Sequence, residues 1–227
     1  MGRLQMLEVA NLVVHYDGAV AVDDVTMRIE NSELVSLIGP NGAGKSSLIK
    51  AVAGLVPIDG GKVSLQGRLA YVPEGRQLFR DLTVDQNLRL GAWPNRRQST
   101  DYVYDLLPEI KKFEKRKAGQ LSGGEQQLVA VARGLMAKPD LLAIDELSLG
   151  LSPLAAAKLV SNLISLHESL GIALLIVEQS ATVALKMCQR AYVMEAGRIV
   201  KSGTSSELIE SGEMLDAYLG GMGDGQP

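Results

Sequence analysis

The chain has 227 residues, 46% of them hydrophobic, enough to bury a full core in one large α/β domain or in a core carrying an insertion. Its formal charge of −3 comes without a long basic tract, which argues against nucleic acid as a partner. Cys188 is the lone cysteine, so an intrachain disulfide is excluded and a reducing, cytoplasmic setting is expected.

Alternating apolar residues predict strands over 7–16 and 25–29, and an apolar run predicts a buried strand over 33–39 leading into a glycine-rich loop. A helix is expected from Lys45 to about Ala53, then a turn at Gly60-Gly61 and short strands over 62–66 and 69–72. From Pro73 to about Ala137 the strand signals vanish. Thr83 and Gln86 have capping-box spacing and open a helix through Leu90; further helices are expected over 102–107 and 110–117. Ser122 caps a longer helix whose Leu128, Val131, Ala132 and Leu135 share one apolar face. Alternation resumes with strand 141–145, helix 153–170, strand 173–178, helix 181–188, a hairpin of 191–195 with 198–203 about Ala196-Gly197, and two short helices. The expected organisation is an α/β core with an N-terminal antiparallel β subdomain (1–73 and 138–219), a helical insertion (74–137), and a glycine-rich tail (220–227) that frays. The N-terminus lacks signal-peptide character and no apolar run approaches the roughly 18 residues that span a bilayer, so a membrane role is expected only through a partner.

Gly39, Pro40, Asn41, Gly42, Ala43, Gly44, Lys45 and Ser46 fit the phosphate-loop pattern, and Ser47 follows in the helix. Phosphate oxygens need donors: the backbone N–H groups of Gly42 to Ser46 supply them where side chains do not crowd them, and Lys45 reaches the β and γ phosphates. The Ser46 hydroxyl is a candidate Mg²⁺ ligand. Asp145 ends a buried strand, where its carboxylate can hold Mg²⁺, and Glu146 next to it can orient or deprotonate an attacking water. Ser122, Gly123, Gly124 and Glu125 read as a capping box, yet two glycines in a first helical turn cost about 1 kcal/mol each. They make sense where an anion approaches a bare helix N-terminus.

Phosphate loop, Leu121-Ser-Gly-Gly-Glu125 and Asp145-Glu146, in this order and over about 7–219, resemble the ATP-binding subunit of an ABC transporter. The resemblance implies a P-loop NTPase core of RecA-like type, and ATP bound between the phosphate loop of one subunit and the Ser122–Glu125 segment of another. With one loop and one signature, the chain needs a second ATPase subunit, a copy of itself or a related chain. Tyr16 corresponds to the aromatic that stacks on adenine, its alternative being an edge-strand core tyrosine.

Three positions depart from the family pattern: Glu74 where glutamine usually senses Mg²⁺ and the lytic water, Ser152 where aspartate is usual, and Gln179 where a histidine usually touches the γ-phosphate. Glu74 joins Ser46 and Asp145 as a candidate metal ligand, and Gln179 joins Lys45 and Glu146 as a candidate catalytic residue that donates a hydrogen bond but relays no proton. His15 and His167 are expected to be ordinary structural or surface residues. Glu74, Ser152 and Gln179 together look like the smaller ATPase subunit of branched-chain amino acid importers. That branch usually has proline where Leu147 stands. The resemblance implies two transmembrane permease subunits, a solute-binding receptor acting indirectly, and a peripheral position on the inner face of the membrane. Leu78, Phe79 and Leu82 mark the expected docking surface, or else are buried between subdomains. A soluble ATPase in assembly or repair, and an ATP-dependent clamp with little hydrolysis, stand as alternatives.

Overall fold

The computed structural model describes residues 5–93 and 98–210; the tail expected over 220–227 and the second short helix after the hairpin lie outside them. In chain order the first elements are β1 (Gln5–Tyr16), β2 (Ala19–Glu30), β3 (Leu34–Ile38), α1 (Lys45–Val52), β4 (Gly60–Leu65), β5 (Leu69–Val72), α2 (Val84–Gly91), α3 (Asp101–Leu106) and α4 (Pro108–Lys111). There follow α5 (Gly123–Leu135), β6 (Leu141–Asp145), α6 (Pro153–Leu170), β7 (Ala173–Glu178), α7 (Ala181–Met187), β8 (Arg190–Glu195), β9 (Arg198–Thr204) and α8 (Ser205–Glu210). Among the described residues no helix is long and apolar enough to cross a membrane.

Packing divides the chain into two units, Gln66–Leu174 and the remainder. These lines differ from the boundaries expected at 73/74 and 137/138, because β5, β6 and α6 cluster with the helices between them rather than with β1–β4.

In the first unit, β2-β1-β4 form an antiparallel sheet in which Leu7 faces Ile29, Val9 faces Met27 and Val14 faces Val22, all buried. The second strand runs from Ala19, well before the expected start at Val25. Asp17 and Gly18, at φ 48° and 83°, make a two-residue hairpin turn that sets Ala19 opposite Tyr16 and recruits the residues after it. Gly60 and Gly61, expected as a turn, belong instead to β4. Strand register brings Asn11 O to within 2.3 Å of where a Cβ on Gly61 would lie, so a glycine is required inside the strand. The unit also holds β7, β3, β8 and β9 as neighbours in that order, β3 and β8 parallel, β8 and β9 antiparallel. Ala196 and Gly197, at φ 43° and 83°, close the last hairpin as expected. Ile38, Ala184, Leu185, Val193 and Leu208 form one buried cluster over this sheet.

A half-buried clamp ties β8 back to the β2–β3 junction. Arg190 donates to both carboxylate oxygens of Glu33 at 2.8 and 3.1 Å and to Arg28 O at 2.7 Å. Arg190→Ala leaves the buried Glu33 carboxylate without its cation and is expected to cost about 3 kcal/mol, measured as a shift in urea midpoint at pH 7.

In the second unit, β5 and β6 pair in parallel, and α5 is buried along Leu128, Val131, Ala132 and Leu135, the face expected from their spacing. Both predicted capping boxes are present, Thr83 with Gln86 and Ser122 with Glu125. The helix expected over 110–117 is not formed beyond Lys111. The carbonyls of Glu114 and Arg116 accept from the N–H groups of Asp85 and Val84 at 3.0 Å each, so this stretch satisfies the exposed donors of α2 instead of its own helical ladder. Helix ends elsewhere agree with expectation to within a residue or two.

Candidate active site

In the first unit the buried strand β3 delivers the chain into the loop that starts at Gly39. Gly39 N donates to Glu178 O at 3.3 Å, and Ala43 O accepts from Gly197 N at 2.9 Å, so β7 and the β8–β9 turn hold the loop at both ends. Gly44 caps α1 at φ 100°, where a Cβ would lie 2.2 Å from Ala21 O. That glycine is therefore demanded by the chain's own backbone as well as by any phosphate. Lys45 is 5% exposed, and its ammonium donates to Gly39 O at 2.7 Å and Pro40 O at 2.9 Å. The cation is thus held across the loop it follows, with Ser46 and Ser47 next to it in the first turn of α1.

Gln179 is exposed directly after Glu178, whose carbonyl receives Gly39 N, so it stands at the start of the phosphate loop. Tyr16 lies at the end of β1, 41% exposed, on the hairpin whose other strand brings Ala21 against Gly44. Gln179 and residues 39–47 thus lie next to one another, while Tyr16 stands at the exposed end of β1. His15 is occupied by Asp59, its backbone N–H and ring Nδ1 meeting Asp59 Oδ2 at 2.7 and 3.0 Å. Cys188 is inert packing: burial pushes its thiol up to about 12.

In the second unit Asp145 ends β6 at 1% exposure. Its Oδ2 accepts from the Tyr71 hydroxyl at 3.1 Å, while its Oδ1 is buried and has no hydrogen-bond partner among the described residues. A buried carboxylate oxygen of this kind suits a cation better than it suits the core. Glu146 follows at φ 52°, a left-handed conformation that a glutamate adopts at a cost of about 1–3 kcal/mol. This backbone reversal ends the alternation of the strand and turns Glu146 out of it. Ser152 caps α6 by accepting from Ala155 N at 3.3 Å, so the departure from aspartate keeps a good capping residue.

At α5, Ser122 N donates to Glu125 Oε2 at 2.8 Å and Ser122 Oγ accepts from Glu125 N at 3.4 Å. The two glycines between them face the chain's own side chains. A Cβ on Gly123 would lie 3.3 Å from a nitrogen of Arg76, and one on Gly124 would lie 3.1 Å from Ala155 Cβ. Space for an approaching anion is therefore not their whole explanation. Arg76 received no role from the sequence, and the signal for it was its place in Pro-Glu-Gly-Arg immediately after a strand. Glu74, exposed in the same turn, keeps its carboxylate at the surface of this unit.

A glycine-rich loop gripping its buried lysine in one unit, and a carboxylate pair at a strand end in the other, are the marks of a nucleotide-hydrolysing protein of P-loop type. A family model described as ABC transporter matches residues 22–148. The chain belongs to the ABC transporter family and is one of its ATPases. It is similar to BraG of Pseudomonas aeruginosa, a high-affinity branched-chain amino acid transport ATP-binding protein, with 38% identity covering 95% of this chain and all of BraG. LivF of Archaeoglobus fulgidus, a probable protein of the same kind, is 34% identical over 90% of this chain and 94% of its own. LptB of Haemophilus influenzae, from a lipopolysaccharide export system, is 31% identical over 96% and 98%. Among solved structures, the ATP-binding cassette MJ1267 superposes with a TM-score of 0.85 at 24% identity, covering 96% of this chain and 100% of that one, and shares the fold.

Proposed function

We propose that the chain is the ATP-hydrolysing subunit of an importer for branched-chain amino acids, in which two ATPase subunits close on ATP held between residues 39–47 of one and Ser122–Glu125 of the other. One observation carries the reading: 38% identity along the entire length of a branched-chain amino acid transport ATP-binding protein. A dimeric cassette with a TM-score of 0.78 to this chain lends support to the pairing.

Within the site, Lys45 is assigned to the β and γ phosphates, Glu146 to the attacking water, Gln179 to a γ-phosphate oxygen and Tyr16 to adenine. Mg²⁺ is the metal proposed, with Asp145, whose Oδ1 has no hydrogen-bond partner among the described residues, assigned as a ligand together with the Ser46 hydroxyl and Glu74. Bound with ATP, the ion supplies neutralisation of phosphate charge. The residues 74–137 are proposed as the functional insertion, since they carry Glu74, the signature and a docking groove.

That groove, of about 340 Å³, is lined by Tyr71, Phe79, Leu90, Ala130, Arg133 and Ala137. Phe79 is 57% exposed, yet its backbone is gripped by fully buried Asn87, which accepts from Phe79 N at 2.9 Å and donates to Phe79 O at 3.1 Å. A buried amide spent on holding an aromatic ring toward solvent fits a partner site, here a permease subunit at the inner face of the membrane.

Full-length chain expressed in its own host is expected to co-purify with a polytopic membrane protein, and its deletion to abolish leucine uptake. Phe79→Asp is expected to lose the membrane partner while binding ATP as the parent does. A complex free of membrane protein would refute the transport role; intact leucine uptake after deletion would refute the substrate.

A further inference from the structure

Gly75, Arg76 and Gln77 have φ of 73°, 67° and 43°, three left-handed residues in succession, two of which carry side chains. Gln77 N donates to Gly75 O at 2.7 Å, closing a three-residue turn with Arg76 at its centre, the strained γ-turn of positive φ. Strain of this kind persists only where surrounding contacts impose it. Here they come from α5: Arg133 donates to Gln77 O at 2.7 Å and to Arg76 O at 3.1 Å. The side chain of Arg76 then returns to the other end of the same helix. Its Nε faces Gln127 Oε1 at 3.3 Å, Nη1 faces Gln126 Oε1 at 3.4 Å, and Nη2 faces Leu149 O at 3.3 Å, in the loop that follows Glu146.

We propose that Arg76 is a positioning residue for ATP hydrolysis: its guanidinium fixes the first turn of the signature helix against the loop carrying Leu149, three residues beyond Glu146. The inference rests on the hydrolytic reading above. Three acceptors each meet a different nitrogen, which calls for a planar fork of donors that arginine has and lysine lacks. The absence of a side chain at Gly123 belongs to the same device, because a methyl group there would press on the guanidinium. Since Arg133 also lines the groove proposed for the permease, the backbone of this turn links that groove to the signature helix.

Arg76→Gly is the informative variant, since glycine adopts the left-handed turn without strain and removes the fork alone. In the full-length chain it is expected to lower kcat about tenfold or more by misplacing reacting groups, with KM and equilibrium binding of a fluorescent ATP analogue kept within about twofold. Arg76→Lys is expected to behave like Arg76→Gly. Amide hydrogen exchange is expected to quicken at 123–127 and 149–151 in Arg76→Gly, with the melting temperature held. A parental kcat in either variant, or parental exchange at both segments, overturns the proposal. A parent that hydrolyses ATP no faster than Lys45→Ala refutes the ATPase reading instead, and the exchange measurement still decides whether Arg76 holds the two segments.

Discussion

Glu146→Gln is expected to cut ATP turnover by about a hundredfold or more, the usual weight of a positioned general base, and to leave nucleotide affinity near the parental value. The amide is nearly isosteric and keeps one oxygen, so the left-handed backbone at φ 52° and the loop through Leu149 N, which donates to Glu146 O at 3.4 Å, stay as they are. What is lost is the negative charge proposed to accept a proton from the attacking water. With binding intact and hydrolysis blocked, the ATP-bound dimer is expected to accumulate, seen as a doubling of mass in size-exclusion chromatography with Mg²⁺ and ATP. Parental turnover in this variant would remove the role proposed for Glu146.

Lys45→Ala is expected to fail one step earlier, at binding. The ammonium sits at 5% exposure between two loop carbonyls, where the surrounding protein screens charge less than water does. Two effects therefore add: the phosphates lose their cation, and the loop loses the bonds to Gly39 O and Pro40 O that span it. ATP affinity is expected to fall about a hundredfold or more, some 3 kcal/mol at 1.4 kcal/mol per decade, measured by titration with a fluorescent ATP analogue. Turnover then vanishes with binding, in contrast to Glu146→Gln. Parental affinity would mean that Lys45 serves only the loop's own architecture.

Much of the fold was legible because local chemistry and burial agree. Five consecutive buried residues at 34–38 and again at 141–145 follow from runs that are apolar but for Ser36 and the closing Asp145, and both capping boxes follow from residue types at fixed spacing. The phosphate loop needed no tertiary information either, since its glycines, lysine and serines are contiguous. Misreadings fell where a distant segment took over a local preference. The helix expected over 110–117 gave its carbonyls to α2, and Gly60-Gly61 entered a strand because β1 offered a partner edge. The early start of β2 follows from Asp17-Gly18, a two-residue hairpin signal.

Residue types and their order determined that this chain binds phosphate, where its acidic pair stands and that its signature helix begins at Ser122, because each of these depends on neighbours in sequence. Only the tertiary structure decided that Asp145 buries an oxygen with no hydrogen-bond partner among the described residues, that Glu146 leaves its strand through a strained turn, and that Arg76 lies against Gly123 and Leu149. Such features depend on which desolvated groups meet across long stretches of chain. Sequence spacing carries no record of those encounters.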